Sequence, residues 1–264
     1  MSKFGFIGCG NMGGALATAA AKAVGGKNIL LADADPQKAK TLAEKLGAAV
    51  ATNEEIAKTC QFVILGVKPQ VLGKAVEAFA SQIPFETVVV SMAAGISLET
   101  LKDLLGVERP MIRMMPNTPV QVGEGRILYA VKNVKAHQEE EFLELFSQAG
   151  ELIALEEKLI DAGTALSGCG PAFVYLFIEA LADGAVTCGI PREDALKLAA
   201  GTVLGSAKTV LETGVHPAAL KDAVCSPGGS TIEGVHALEQ NGFRGAAMEA
   251  VIKSYEKTKE LGKK

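Results

Sequence analysis

Short apolar segments alternate with helix-forming segments over the first 155 residues of the chain. Apolar runs predict strands at 3–8, 28–33, 48–50, 61–67, 87–92, 110–115 and 125–131. Helical composition with turn signals predicts helices at 13–24, 36–47, 53–59, 69–82 and 97–105, and Asn53 is expected to cap the third of them. Continuous apolar runs such as QFVILGV are typical of parallel strands buried on both faces. The alternation predicts an α/β fold with βαβ units around a doubly wound sheet.

The pattern changes near Glu156. Beyond it the chain has helical periodicity and almost no strand candidates. Residues 162–189 form a long, mostly apolar helical segment that is interrupted at 168–171, and amphipathic helices are expected at 192–214 and 243–264. This shift predicts two domains, 1–156 and 157–264, of which the second is entirely helical.

Composition narrows the class of partners. Of the 264 residues 48% are hydrophobic, and the net charge of −4 gives no basis for binding nucleic acid or an anionic membrane. The N-terminal segment has no signal-peptide pattern, and the alanine-rich run at 13–24 is too short to span a bilayer. The five cysteines form no CxxC pair, which is typical of a reducing compartment. We therefore expect a cytoplasmic protein.

The segment GCGNMG at 8–13 fits the pattern GxGxxG, follows a predicted strand and opens a predicted helix. In this setting Gly8 makes the tight turn, Gly10 lets the backbone approach a pyrophosphate, and Gly13 brings the helix close to the sheet. The helix N-terminus supplies N–H groups and a positive dipole end for the phosphates. The alternative is a glycine-rich turn without a ligand, but the βαβ context favours a dinucleotide cofactor.

Asp33 ends the second predicted strand, twenty residues after Gly13. A carboxylate there accepts a hydrogen bond from a free ribose 2′-hydroxyl and so favours NAD over NADP. Residues 32–38 contain no arginine for a 2′-phosphate. The alternative is that Asp33 is only a solvated turn residue. Val67, Lys68 and the segment 91–95 follow later strands and should line the nicotinamide half, since ligands bind at the carboxyl ends of the strands.

No side-chain constellation indicates catalysis without a cofactor. The three histidines lack metal-ligand spacing and are interpreted as surface or helix-end residues, and the methionines of the PMIRMM segment are interpreted as packing residues. Cys225 has no predicted base and is interpreted as a small filler. There is no Ser/His/Asp set, no hydrolase carboxylate pair and no zinc pattern, so no metal is expected. The chemistry then belongs to the cofactor. The histidines are His137, His216 and His236, and the methionines are Met111, Met114 and Met115.

The string CSPGGST at 225–231 interrupts a helical region. Pro227, Gly228 and Gly229 break the incoming helix, and a new helix begins at once. The N–H groups of 229–231 would then form an anion site suited to a carboxylate, with the Thr231 hydroxyl in the same turn. Such a turn suits a small cyclic imino acid. The alternative is a plain helix-breaking turn.

Several motifs occur in one order along essentially the whole chain: FIGCGNMG, VKPQ, AGISLETL, RMMPNTP, LSGCGPAFVY and LKDAVCSPGGSTIEGVHALE. Together they resemble the pyrroline-5-carboxylate reductase family, and the last string is the most specific. The resemblance implies reduction of 1-pyrroline-5-carboxylate to L-proline by hydride from NADPH or NADH, the last step of proline biosynthesis. It also implies a Rossmann-like N-terminal domain and an all-helical C-terminal dimerisation domain. The protein would be a homodimer or a higher homo-oligomer built from dimers.

The resemblance also assigns roles to residues. Substrate contacts would come from the turn Gly229–Thr231, with Thr231 on the ring nitrogen as the catalytic residue and Glu157 as a further contact. The family usually prefers NADPH and often has Ser or Thr where this chain has Asp33, so both cofactors are expected and the preference stays open. The implied cofactor contacts are Ile7, Gly8, Cys9, Gly10, Asn11, Met12, Gly13, Asn53, Val67, Lys68 and Ala94, with Asp33 on the ribose.

Two other functions are compatible with the first domain. A β-hydroxyacid dehydrogenase or general imine reductase shares the first domain but relies on a lysine in its helical domain. Lys197 and Lys208 lie in amphipathic segments without a pocket context, and the SPGGST turn is not typical of that class. A regulator that senses NAD(P) without turnover would need no substrate turn. Because the imine substrate can arrive already protonated, no strong general acid is needed, which explains the absence of a catalytic histidine.

Overall fold

The computed structural model describes residues 3–261. Within them lies one sheet of eight strands in the order β3-β2-β1-β4-β5-β6-β7-β8. All neighbouring strands are parallel except β6 and β7, which are antiparallel. The strands are β1 (Phe4–Ile7), β2 (Ile29–Ala32), β3 (Ala49–Val50), β4 (Phe62–Leu65), β5 (Val88–Ser91), β6 (Met111–Met115), β7 (Gly125–Lys132) and β8 (Gly150–Ala154).

The helices of the sheet unit are α1 (Asn11–Val24), α2 (Pro36–Leu46), α3 (Asn53–Thr59), α4 (Pro69–Glu77), α5 (Leu98–Leu105), α6 (Ala136–Leu145) and α7 (Glu157–Ser167). They cover both faces of the sheet. Leu16 of α1 and Phe142 of α6 are buried on one face, and Leu72 of α4 and Ile160 of α7 on the other. Successive residues of β4 alternate between the faces, with Val63 on one and Ile64 on the other. The predicted doubly wound α/β fold is confirmed.

Three local features of the structure differ from the sequence predictions. The cap of α3 is Thr52 rather than Asn53, because the Thr52 hydroxyl accepts from the Glu55 N–H at 3.1 Å while the Glu55 carboxylate accepts from the Thr52 N–H at 2.8 Å. The predicted helix 69–82 ends at Glu77. The strand β8 was not predicted, because it is short, half-exposed and begins with a Gly-Glu pair.

The second unit is helical. It contains α8 (Gly170–Thr187), α9 (Arg192–Thr213), α10 (Pro217–Ala223), α11 (Ser230–Gln240) and the first part of α12 (Phe243–Leu261). Compact packing divides the chain after Cys169 and again before Ser254. The helix α7 therefore packs with the sheet, whereas the sequence shift was predicted near Glu156. The domain limits 1–156 and 157–264 stay a prediction.

The second unit has little core of its own. Ala182, Ala195 and Ala199 are its buried apolar residues among those described. Large apolar side chains are instead exposed, including Leu176 at 68% and Leu204 at 67%. The stretch Glu157–Thr187 is long and apolar enough to cross a membrane by length and composition alone. Its first part, α7, buries Ile160 and Ala165 in the sheet unit, although Leu159 and Leu166 are exposed there. Helix α8 buries only Ala182, so it carries most of the exposed apolar surface of this stretch.

Candidate dinucleotide site and substrate turn

The turn between β1 and α1 uses two of its glycines for packing. Gly8 has φ +102°, a conformation that L side chains rarely adopt. A Cβ on Gly13 would overlap the carbonyl oxygen of Gly8. A Cβ on Gly66, which follows β4, would lie 2.8 Å from the same oxygen. These glycines allow the start of α1 to touch the strand ends, as predicted for Gly8 and Gly13.

Gly10 differs from its neighbours. Its φ of −68° and ψ of −169° are open to any residue, and a Cβ there would meet no described atom within 4 Å. The packing of the protein therefore does not require a glycine at this position. Gly10 is also the N-cap of α1, which has no side-chain cap and no acidic residue in its first turn among the described residues. Both features leave space and backbone donors for an anion at this end of α1.

Asp33 faces this turn. Its Oδ2 accepts from the Cys9 N–H at 2.6 Å, and its Oδ1 accepts from the Asp35 N–H at 2.9 Å. Both oxygens are held by backbone donors, and each keeps lone-pair capacity for another donor. Asp33 is half-buried. Asp33 is therefore tied to the glycine turn as well as to its own turn, and its role on the ribose stays a prediction.

A cavity of about 450 Å³ opens beside this carboxylate. Its floor is partly apolar, with Pro36, Ala39 and Val50, which suits the face of a flat ring. Asp33 and Asn53 both line it. The structure thus brings together two predicted cofactor residues that lie on different βα connections.

The other predicted cofactor residues collect at the same sheet edge. Ile7 ends β1 and pairs with Ala32 and Leu65 at the ends of the neighbouring strands. Its side chain is buried, so only its backbone faces the edge. Val67 and Lys68 follow β4 and lead into α4, and Ala94 follows β5. The remaining residues, Asn11 and Met12, open α1, where Asn11 is exposed and Met12 is half-buried.

The Cys9 thiol is not a nucleophile at neutral pH. Its Sγ donates to the Ala32 carbonyl oxygen at 3.4 Å. Burial, and then the nearby Asp33 charge, raise the pKa of the Cys9 thiol to about 11. The contribution of Cys9 to this site is its backbone N–H.

The turn at 224–229 opens α11 as the sequence predicted. Gly228 has φ +66°, and Gly229 is the N-cap of α11 in extended conformation. One part of the prediction is wrong: the Gly229 N–H is not free, because it donates to the Ser226 carbonyl oxygen at 3.1 Å and closes the turn. The donors left at this end are those at the start of α11, from Ser230 onward, and the helix has no side-chain cap within the described chain.

The Thr231 hydroxyl is free. Helical threonines elsewhere in this unit, such as Thr202 and Thr209, donate to the carbonyl oxygen four residues earlier. Thr231 lies in the first turn of α11, where the residue four places earlier, Pro227, is outside the helix. Both Ser230 and Thr231 are exposed, and neither hydroxyl has a hydrogen-bond partner among residues 3–261. Two hydroxyls and several N–H groups therefore point to solvent at one helix end.

Glu157 has partners within the sheet unit. Its Oε1 accepts from the Leu98 N–H at 2.6 Å, at the start of α5, and lies 3.7 Å from Nη1 of the buried Arg113. Arg113 also pairs with Asp161. These contacts fasten α7 to β6 and α5. The substrate contact predicted for Glu157 stays a prediction.

Sequence reasoning missed a second anchor of α7. The buried Asn117 donates from Nδ2 to the Ser167 carbonyl oxygen at 2.9 Å and accepts at Oδ1 from the Arg126 N–H at 2.9 Å. The motif MPNTP signalled a turn, but not that its asparagine holds the end of a helix fifty residues later.

The histidine and methionine interpretations are confirmed. His216 caps α10, where its Nδ1 accepts from the Ala218 N–H at 3.2 Å, and His137 is exposed. Met111, Met114 and Met115 are buried in the sheet. Within 3–261 no group of three or more His, Cys, Asp or Glu residues is arranged to hold a metal ion.

Similarity to known proteins identifies the family. Residues 157–261 match a family described as pyrroline-5-carboxylate reductase dimerisation, and residues 3–95 match one described as NADP oxidoreductase, coenzyme F420-dependent. The pyrroline-5-carboxylate reductase of Methanosarcina acetivorans is 46% identical over 266 residues, which cover 99% of this chain and 98% of that protein. The chain belongs to the pyrroline-5-carboxylate reductase family.

Other members of this family match the chain over nearly its full length. The Escherichia coli pyrroline-5-carboxylate reductase is 42% identical over 267 residues, covering 99% of this chain and 98% of that protein. The solved structure of the Plasmodium falciparum pyrroline carboxylate reductase, with NADP bound, has a TM-score of 0.88 and 34% identity, covering 99% of this chain and 98% of that one. The Coxiella burnetii pyrroline-5-carboxylate reductase has a TM-score of 0.91 and 29% identity, covering 98% of each chain. The resemblance and the Rossmann-like fold are confirmed.

The rival dehydrogenase class shares only the fold. The solved 3-hydroxyisobutyrate dehydrogenase of Salmonella typhimurium is 17% identical with a TM-score of 0.53, covering 72% of this chain and 70% of that one. Family membership of this chain rests instead on full-length relatives.

Proposed function

We propose that this protein reduces 1-pyrroline-5-carboxylate to L-proline with a reduced nicotinamide dinucleotide. Support comes from family membership over the whole chain and from the two sites described above. The observation that carries the proposal is the start of α11, where free N–H groups and two free hydroxyls suit a small carboxylate with a nearby polar ring atom. As the last step of proline biosynthesis, the reaction suits a cytoplasmic protein, and the five free cysteines are typical of a reducing compartment.

The glycine turn suits the pyrophosphate that NADP and NAD share. The glycine turn leaves room for a pyrophosphate at Gly10, and the cavity beside Asp33 suits an adenosine. The Plasmodium relative binds NADP. The proposed backbone contacts run from Ile7 to Gly13, with Asn53, Val67, Lys68 and Ala94 completing the site at the ends of β1, β4 and β5 and the start of α3.

The substrate residues hold and polarise the imine. When bound, the reduced nicotinamide supplies a hydride to the imine carbon. The N–H groups at the start of α11 bind the substrate carboxylate, which fixes the ring and supplies proximity. The Thr231 hydroxyl hydrogen-bonds the ring nitrogen and holds its proton there, so the carbon–nitrogen double bond becomes an amine as the hydride arrives. Ser230 also contacts the substrate carboxylate, and Glu157 is proposed as a further contact to the substrate.

A direct assay tests the function. Purified protein is given pyrroline-5-carboxylate with NADPH or NADH, and both the loss of reduced cofactor and the proline formed are measured. We expect equal amounts of cofactor oxidised and proline formed. Cofactor binding without turnover would favour a regulator, and oxidation of β-hydroxyacids in place of imine reduction would favour the dehydrogenase class.

We further propose that the helical unit forms a homodimer. The apolar residues of α8, α9, α11 and α12 surround an open cavity of about 600 Å³ within the second unit. So much exposed apolar surface is not stable in water. A second copy supplies cover, in keeping with the dimerisation family matched at 157–261. Higher assemblies would be built from this dimer.

Leu176→Arg should weaken the dimer without unfolding the chain. Leu176 is 68% exposed in the single chain, so arginine is tolerated there, but a charge in a dimer interface opposes association. We expect a dimer dissociation constant raised roughly ten- to hundredfold, measured by sedimentation over a concentration series. The control is Val122→Arg on the sheet unit, where Val122 is 77% exposed. A wild-type chain that stays monomeric, or equal loss in the control, would contradict the proposal.

A further inference from the structure

We propose that Asp33 makes the dinucleotide site select NADH over NADPH. The inference rests on the proposed function, because it concerns the cofactor of that reaction. It goes further by deciding between two cofactors that family membership leaves open. Three features of the β2–α2 connection carry it: the position of the Asp33 carboxylate, the charges around the adjacent cavity, and the capped start of α2.

The Asp33 carboxylate cannot turn away from a ligand without loss. Its two oxygens are held by different backbone donors, the Cys9 N–H at 2.6 Å and the Asp35 N–H at 2.9 Å. Cys9 lies in the glycine turn itself, so the carboxylate is anchored to the segment that approaches the pyrophosphate. A free ribose can donate its hydroxyls to the remaining lone pairs. A 2′-phosphate brings only acceptors to the same place, and it must either lie against the carboxylate or break the bond to Cys9.

The cavity beside Asp33 offers no compensating cation. Its described lining contains three carboxylates, those of Asp33, Glu54 and Glu55, and no lysine or arginine. The nearest basic residue along this connection is Lys38, which is 61% exposed and lies 3.9 Å from Asp35. NADP sites normally place an arginine at the 2′-phosphate. Here the local charge is negative, which disfavours a phosphate dianion.

The start of α2 is also closed to a phosphate. Helix N-termini bind phosphates through free N–H groups. In α2, Pro36 at the first position has no N–H, and the Gln37 N–H already donates to the Asp35 side chain at 3.1 Å. An incoming 2′-phosphate would compete with a carboxylate of the protein for that donor. The donors, the charges and the cavity therefore all favour a free 2′-hydroxyl.

The test measures the binding of NADH and of NADPH to the full chain without substrate. Nicotinamide fluorescence reports the binding. We expect the wild type to bind NADH about tenfold or more tightly than NADPH. Asp33→Ser should shift the ratio of the two dissociation constants toward NADPH by about tenfold or somewhat more, and the shift should shrink as salt is raised. Asp33→Asn keeps an acceptor for the Cys9 N–H, so it should shift the ratio even if the serine variant is poorly folded.

The matched control is Glu54→Gln, which removes a charge from the same cavity at an exposed residue. It should change the ratio by less than about threefold, because its carboxylate is exposed and its repulsion of a phosphate is screened by solvent and salt. A wild-type preference for NADPH, or an unchanged ratio in both Asp33 variants, would overturn the inference. This binding test does not depend on turnover. Selective NADH binding without proline formation would refute the proposed reaction alone. Proline formation with equal use of both cofactors would refute the selectivity alone.

Discussion

Gly10→Val should abolish dinucleotide binding and leave the protein folded. The backbone angles at Gly10 suit valine, and no described atom lies within 4 Å of the new Cβ, so no clash unfolds the protein, although valine is a poorer N-cap than glycine. The branched side chain instead fills the space where the backbone approaches the pyrophosphate. We expect affinity for NADH and NADPH to fall by more than about a hundredfold, or roughly 3 kcal/mol. Fluorescence titration measures binding, and circular dichroism with thermal melting checks the fold.

Gly13→Ala is the matched control for folding, because it should lower the stability of the protein. Its Cβ would overlap the Gly8 carbonyl oxygen, so the start of α1 must shift away from the strand ends. Overpacking of this kind costs about 1–3 kcal/mol of folding free energy, more than alanine gains as a helix former. The melting temperature should fall in this variant and not in Gly10→Val. If Gly10→Val binds dinucleotide normally, the phosphates lie elsewhere.

Thr231→Ala should lower turnover of pyrroline-5-carboxylate and leave cofactor affinity nearly unchanged. The Thr231 hydroxyl has no partner among the described residues, so its removal disturbs no bond of the protein. Loss of a hydrogen bond to a charged group costs about 1.5–3 kcal/mol, which corresponds to roughly a ten- to hundredfold fall in kcat/KM. Steady-state kinetics with proline detection measure it.

Thr231→Ser separates the hydroxyl from the methyl group. It keeps the hydroxyl at the same helix position, so it should retain most of the activity that Thr231→Ala loses. Dinucleotide dissociation constants should stay within about twofold of wild type in both variants, since the proposed contact is to the substrate. Unaltered kinetics in Thr231→Ala would refute the role of this hydroxyl.

The sequence alone predicted the features that depend on a residue's own backbone conformation or on its neighbours in the chain. Continuous apolar strands predicted burial on both faces, and Val63 and Ile64 indeed serve opposite cores. The glycine spacing at 8–13 predicted the turn, because only glycine tolerates the conformation of Gly8. The Pro-Gly-Gly string predicted the start of α11 for the same reason. The motif order predicted the family.

The features that only the tertiary structure decided depend on partners distant in the chain or on competition between neighbours. Asp33 became a fixed acceptor because folding brings the Cys9 N–H to it across 24 residues. The Glu157 carboxylate accepts from the Leu98 N–H at the start of α5, 59 residues away in the chain. The Gly229 N–H was used by its own turn, and Thr52 capped α3 in place of Asn53, because backbone geometry selects one of several local donors and acceptors. Residue type states which hydrogen bonds are available, whereas the folded geometry decides which of them form.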